Sequence, residues 1–436
     1  MSLVEALDWL QSHLDHETGS LGVAAGSVDG LDLDGMRALM AVLGDPQDQL
    51  PVIHVTGTNG KGSVAAMIAA LVMSHGLTVG AAVSPHLHRL NERIQRNGEA
   101  ISDDELAEVL LGIRAVEPLL EHRPTWFEIM VAAALRHFAE APVDVAVVEV
   151  GLLGRYDATN VVDAQVSVVT SIGGDHTDFA PGWEVAIAGE KAGILRPDGT
   201  AVLGELPPEL LPVFAAEGPA RMWVAGENFS VTDDQTAVGG HLVSIDGVYG
   251  TYDEVFIPLH GRHQVANAAV AIAAVEAFFD RALDGEAVGE AFAAVRSPGR
   301  CEVVSHQPLV VLDGAHNPDA LAALAATVDD EFVVAGSRYL VMGTLAGRDP
   351  ERLVAAAEAI RPDLVICAPV GEGPRAGDPA LLVDAWRRRG VAVEQAASAT
   401  AAVERAVGAA LPEDLVVVAG SFRLADEVSA ALRRLR

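Results

Sequence analysis

At 436 residues with half of them apolar, the chain is too long for one ordinary domain and hydrophobic enough to build two or three cores, which excludes a disordered protein. A formal charge of −32, spread along the sequence, excludes a nucleic-acid partner, because such binding rests on clustered cations. Neither a basic-then-apolar leader nor an uncharged run of roughly 18 residues occurs, so a soluble, cytoplasmic protein without a membrane partner is expected. Cys301 and Cys367 lack CxxC spacing, which fits a reduced compartment and argues against a disulfide framework or zinc knuckle.

In chain order, VIHVTG, TVGAAVSP, DVAVVEVG and VSVVTSIG are Val- and Ile-rich runs without strict alternation, mostly separated by helical stretches such as GSVAAMIAALVMSHG. That pattern predicts buried parallel strands with crossover helices. Ser102 with Glu105, and Thr125 with Glu128, have the spacing of capping boxes and predict two helix starts. From about 220 to 258 the segments are short and turn-punctuated and predict antiparallel hairpins. After the Ser297-Pro298-Gly299 turn the βα rhythm restarts with PLVVLDGAHNP, RYLVMGTLAG, DLVICAPV and DLVVVAGSF. The expected fold class is therefore α/β. A P-loop-type, mostly parallel sheet domain with a small antiparallel section (1–298) precedes a Rossmann-like α/β domain (299–436).

Four segments carry chemistry. VIHVTGTNGKGSVAAMIAALV is a strand, a glycine-rich turn and a helix. Backbone N–H groups over Thr58, Asn59, Gly60, Gly62 and Ser63 suit a phosphate, and Lys61 is placed to reach terminal phosphates. It departs from the usual P-loop, with Val55 at the first glycine position and Gly62 between Lys61 and Ser63. In DVAVVEVGLLGRYDATN, Glu149 ends a predicted strand, where a carboxylate suits Mg²⁺. SIGGDHTDF places Asp175 and His176 at another strand end. AIAGEKAGILRP sets Lys191 in an apolar, helix-like stretch, where burial would lower its pKa; a salt bridge to Glu190 is the plainer alternative. Further candidate positions are Pro85, His86 and Arg93 in SPHLHRLNERI, expected to meet substrate, with the cation Arg89 beside them; Asn267 in an apolar helix; Arg300 in SPGR; and Asp313 with His316 in LDGAHNP.

Of the 29 basic residues only Lys61 and Lys191 are lysines. Drift toward arginine accounts for the surface. Arginine stays charged and forked, so a compact cation or a deprotonated amine still calls for lysine.

In this order, GTNGKGS, SPHL…NERI, FE, EVGxxGRxDATN, DH, EKAGI, HxxxN, PGR and DGAHNP resemble the bacterial folylpolyglutamate synthase/dihydrofolate synthase family of the Mur ligase superfamily, over about residues 45 to 320. The resemblance implies an ATP-dependent carboxylate–amine ligase. Dihydropteroate or a folate would be the acceptor, L-glutamate the amine, an acyl phosphate the intermediate, and the enzyme a monomer. By motif position it assigns Lys61, Gly60 and Gly62 to the phosphates, Ser84 and Glu149 to a first Mg²⁺, and His176 to a second. Lys191 would carry a CO₂-derived carbamate that helps hold the second Mg²⁺. Asn267, Arg300 and Asp313 would contact nucleotide, with His316 beside the reacting groups; Thr125, Phe127, Glu128, Tyr156 and Asp157 would contact the pterin. Leu153 stands where the family commonly has glycine, and the segment around Asp175 and His176 is altered. These departures leave open a Mur-superfamily ligase with a different carboxylate acceptor.

Overall fold

The computed structural model describes residues 2–14, 32–175, 177, 179–371 and 375–435. The chain divides into two compact units, residues 1–258 with 263–296, and residues 259–262 with 297–436. Among the described residues no helix is long and apolar enough to cross a membrane.

The first unit is built on eight strands: β1 (Val52–Thr56), β2 (Val79–Ala82), β3 (Ile94–Arg96), β4 (Glu99–Ala100), β5 (Val145–Glu149), β6 (Val166–Val169), β7 (Thr200–Leu203) and β8 (Arg221–Val224). They lie in the order β4-β3-β2-β5-β1-β6-β7-β8. All neighbours from β2 to β8 are parallel, and β3 and β4 add an antiparallel edge. Every residue of β1, β2, β5, β6 and β7 is buried. Covering on both faces is why these strands read as continuous apolar runs.

The helix Lys61–Ser74 follows β1 and buries Val64, Met67, Ile68, Leu71 and Val72. Both expected capping boxes are formed, at Ser102 ahead of Asp103–Val116 and at Thr125 ahead of Trp126–Glu140. One core joins these two helices to Leu10, Met36, Leu39 and Val148; a second gathers Ala188, Ile194, Leu203 and Phe214.

The hairpin expectation for 220–258 needs one correction. β8 pairs parallel with β7 and belongs to the large sheet. The antiparallel meander is β9 (Ser230–Ala237), β10 (Gly240–Asp246) and β11 (Thr251–Ile257), in the order β11-β10-β9. Buried Glu276, on the helix Arg262–Phe279, clamps its turn by accepting from the N–H groups of Val248 (2.6 Å) and Gly250 (2.9 Å) and the Tyr252 hydroxyl (2.7 Å).

The second unit holds β12 (Glu302–His306), β13 (Leu309–Leu312), β14 (Arg338–Met342), β15 (Leu364–Cys367), β16 (Ala392–Gln395) and β17 (Leu415–Ala419), in the order β12-β13-β17-β14-β15-β16. All pairs are parallel except β12 with β13. Leu340, Val365, Trp386 and Val417 centre its core, where both cysteines are also buried. A doubly wound sheet of this kind carries its polar loops at the strand C-termini.

Candidate active site

The register of the large sheet brings four strand ends together. Val55 of β1 pairs with Glu149 of β5, Ala82 of β2 with Val148, and Thr56 with Val169 of β6. The residues just beyond these ends are Gly57 to Lys61, Ser84, Val150 onward and Thr170 to Asp175. They rim the C-terminal edge of four adjacent parallel strands, where ligand sites of open α/β sheets occur.

The glycine-rich turn is pinned to the end of β6. Thr58 N–H donates to Ser171 O (2.9 Å), Asn59 N–H to Ser171 Oγ (3.0 Å), and Thr170 Oγ1–H to Asn59 O (2.6 Å). Gly57 has φ +148°, and a Cβ there would stand 1.8 Å from Thr170 Oγ1, so no side chain is accommodated. Gly60 has φ +87° and caps the helix that starts at Lys61. A Cβ on Gly60 would lie 2.6 Å from Asn267 Oδ1, which places Asn267 against the turn; its Nδ2 also donates to Gln264 Oε1 (3.1 Å). Lys61 Nζ donates to Gly57 O (3.1 Å) and Thr58 O (3.4 Å), folded back over the loop. Gly62 and Ser63 form the helix's first turn, with Ser63 fully buried.

Glu149 is 4% exposed and accepts the Ser84 N–H at 3.0 Å, which ties the end of β5 to the loop after β2. Pro85 and His86 continue that loop. Arg93, 5% exposed, donates from Nε to His86 Nδ1 (2.9 Å), and its guanidinium lies 4.8 Å over the Trp126 ring. Thr125 and Glu128 spend their side chains on the capping box, with Glu128 accepting the Thr125 N–H (2.7 Å) and hydroxyl (2.8 Å). The Phe127 ring lies against Gly151, where a Cβ would stand 2.3 Å from its Cζ.

The loop after β5 is held to the helix Trp183–Ala192. Arg155 N–H donates to Glu190 O (2.7 Å), and Asn160 Nδ2 donates to Gly193 O (3.0 Å). The helix thereby presents Lys191, 4% exposed and without a salt bridge among the described residues. Burial pulls the Lys191 amine down to about 7, and the Lys61 charge pushes the same way; Asp175 and Asp157 oppose it. A substantial neutral fraction at neutral pH follows, and the plainer alternative of a salt bridge to Glu190 is not formed.

Asp157 is buried and accepts from Leu152 N–H (2.8 Å) and Thr159 N–H (3.0 Å), as well as from the Thr159 hydroxyl. Its carboxyl is raised by burial, which these bonds partly offset. Tyr156 beside it is 37% exposed. Leu153 is buried at φ +60°, and its carbonyl accepts from Thr56 Oγ1 (2.6 Å). His176 lies outside the described residues. Among the described residues no three His, Cys, Asp or Glu side chains gather as a metal-holding group.

The other predicted residues form a cluster in the second unit. Asp313, just past β13, accepts from Cys301 N–H and Ala315 N–H, both at 2.6 Å, and burial pushes its carboxyl up to about 6. Arg300 stacks 5.0 Å from the Phe422 ring. His316 Nδ1 lies 2.8 Å from Gly314 O. Sequence reasoning missed Phe422 and the buried pair His54 and Thr159; for His54 a signal existed, a histidine inside an otherwise apolar strand.

Comparison with known proteins adds the family. The chain matches the Mur ligase middle domain over residues 55–275 and the Mur ligase glutamate ligase domain over residues 299–422. A dihydrofolate synthase/folylpolyglutamate synthase of Mycobacterium tuberculosis is 43% identical over 77% of this chain and 73% of its own length. The structure of Mycobacterium tuberculosis folylpolyglutamate synthase complexed with ADP superposes with a TM-score of 0.91 at 37% identity, covering 99% of this chain and 98% of that one. A bifunctional folylpolyglutamate synthase/dihydrofolate synthase with Mn, AMPPNP and L-glutamate bound gives 0.86 at 31% identity, over 99% and 98%.

Proposed function

The chain belongs to the dihydrofolate synthase/folylpolyglutamate synthase family of Mur ligases, and from that premise we propose that it uses ATP to join L-glutamate to dihydropteroate, to the glutamyl carboxylate of a folate, or to both. The observation that carries the reading is the convergence of the phosphate-type turn, Lys61, Ser84 and Glu149 on the ends of adjacent strands.

In this reading the acceptor carboxylate oxygen attacks the γ-phosphorus, the bond to ADP breaks, and an acyl phosphate forms. The glutamate amine then adds to the acyl carbon, and the tetrahedral intermediate expels inorganic phosphate as the nitrogen loses its proton. Hydroxide is a poor leaving group and phosphate a good one. The enzyme's task is therefore to align anionic reactants and offset their repulsion. The backbone N–H groups of the turn and the Lys61 ammonium supply that positive potential.

Mg²⁺ fits the residues present, because it takes one or two carboxylates and completes its shell with phosphate oxygen and water, so a three-carboxylate cluster is not required. Glu149 and Ser84 would hold one ion, His176 and Lys191 a second; bound there, Mg²⁺ neutralises phosphate charge. The neutral Lys191 amine can add to CO₂ and lose a proton, leaving –NH–COO⁻ and turning a cation into a metal-binding anion. Its burial and lowered pKa support that assignment.

Arg93, fixed by His86 and Trp126, is suited to a substrate carboxylate beside Pro85. Phe127 offers a ring face and Asp157 a carboxylate to a flat, hydrogen-bonding heterocycle; Thr125, Glu128 and Tyr156 flank them by motif position. The roles of Thr58, Asn59, Gly60, Gly62, Ser63, Asn267, Arg300 and Asp313 at the nucleotide, and of His316 beside the reacting groups, rest on the motif match. Purified protein with ATP, Mg²⁺, glutamate and either dihydropteroate or tetrahydrofolate should release phosphate and form the glutamylated product. No turnover with either acceptor overturns the folate reading.

A further inference from the structure

His54 sits in the middle of β1, 0% exposed, among Val52, Ile53 and Val55. Its Nε2 lies 2.9 Å from Thr159 Oγ1, and Thr159 Oγ1 is bonded in turn to Asp157 Oδ1. Directions follow from chemistry. An ionised carboxylate only accepts, so the Thr159 hydroxyl spends its single proton on Asp157 and can only accept from the imidazole. The proton of the neutral ring is therefore on Nε2. Among the described residues His54 Nδ1 is left as a buried acceptor with no hydrogen-bond partner, consistent with an unprotonated nitrogen. A valine would fill β1 without leaving that nitrogen unsatisfied, so packing alone does not account for a histidine here. What histidine adds is one directed donor, delivered from the sheet interior to the loop that follows β5.

The geometry points to His54 as a positioning residue for the Asp157 carboxylate, acting through the Thr159 hydroxyl. The inference rests on the assignment of Asp157 to the acceptor. Asp157 is the first residue of the Asp157–Asn160 turn, and its two oxygens are shared between Thr159 on one side and Leu152 on the other. Thr159 therefore sets the rotation of the carboxylate. His54, held in a fully buried strand, removes the rotational freedom of the Thr159 hydroxyl. Hydrogen-bond chains of this kind strengthen one another in a low-dielectric interior.

Steady-state kinetics on the full-length chain test this, with ATP and tetrahydrofolate varied separately and thermal unfolding recorded for each variant. Asp157→Asn should raise the KM for tetrahydrofolate. Thr159→Val should raise the same KM about tenfold while leaving the KM for ATP within twofold, and Thr159→Ser should restore it. His54→Leu should act in the same direction and His54→Gln, which keeps a donor near the Nε2 position, should recover most of the loss. In the His54→Leu/Thr159→Val double variant the effect should equal the larger single effect, because the two act in series. Should Thr159→Val not fold, Thr159→Ala, which likewise removes the hydroxyl, carries the same expectation. A KM for tetrahydrofolate unchanged in both Thr159→Val and His54→Leu, against a raised value in Asp157→Asn, overturns the inference alone. Parallel rises in both KM values with a lowered Tm also overturn it, as a plain packing role predicts. An unchanged KM in Asp157→Asn removes the Asp157 assignment and this inference with it.

Discussion

Asn267 rests directly on Gly60, with the amide oxygen 2.6 Å from where a Cβ on that glycine would stand. A helix far along the sequence thus closes one side of the phosphate-type turn. Gly60→Ala meets both a positive-φ backbone at +87° and this contact. The expected result is a loss of about 1–3 kcal/mol in stability and a raised KM for ATP. Asn267→Ala in the same chain should return part of the stability, read as a non-additive term in a double-mutant cycle.

Lys61 is folded over its own loop carbonyls, and in the proposed function it would exchange them for phosphate oxygens. Lys61→Ala should reduce kcat/KM for ATP by about a hundredfold or more, on the scale of losing one aimed donor to developing charge. Lys61→Arg should recover little, since the planar fork replaces a compact ammonium. Near-normal rates in the arginine variant would show that any cation suffices.

Lys191 is buried against the loop after β5, where a Cβ on Gly154 would stand 3.1 Å from its Cα, with an amine that burial brings down to about 7. If Lys191 carries the proposed carbamate, Lys191→Ala and Lys191→Arg should both be inactive, since neither can form one. Millimolar acetate or propionate should partly revive Lys191→Ala and leave Lys191→Arg unchanged. Full activity in the alanine variant refutes the carbamate role.

The buried His54 imidazole is held down to about 3 by desolvation and by the Arg196 charge, against 6.5 for an ordinary histidine. Because the folded value is depressed, the unfolded chain binds the extra proton between these limits. Stability is therefore fully present above pH 6.5 and falls as pH drops toward 3, by about 1 kcal/mol per pH unit from this group. His54→Gln removes that contribution. Unfolding followed at pH 7, 6 and 5 should show a shallower acid slope in the variant; identical slopes rule out a buried neutral imidazole.

Leu153 combines 6% exposure with φ +60°, so burial and backbone conformation pull in opposite directions. Leu153→Ala gives up roughly 2–3 kcal/mol of packing and keeps the strain. Leu153→Gly gives up similar packing and recovers about 1 kcal/mol of backbone strain. The glycine variant is therefore expected to match or exceed the alanine variant in Tm, the reverse of the usual order.

Elements buried on both faces were legible in the sequence, because a strand covered on both sides must be apolar throughout and a capped helix declares its first residue. β8 was not, since Arg221 at a sheet edge sits beside turn-rich hairpins and only pairing with β7 reveals its place. The phosphate-type turn was legible because glycine, lysine and serine at that spacing answer a local backbone need. The role of Thr125 and Glu128 as a capping box was equally local and is formed as read.

By itself the sequence determined the α/β class, the family and the identity of the two lysines, since each depends on residue type and short-range spacing. Tertiary structure decided which distant residues meet. The register of β1 against β5 and β6 aligns Glu149 with the turn, the docked helix buries Lys191 without a salt bridge among the described residues, and the fold of the loop after β5 joins His54 to Asp157 through Thr159. These relationships come from pairing and packing across long chain separations. No local spacing encodes them, and one of them, the burial of Lys191, is what brings a lysine of ordinary basicity down to about 7.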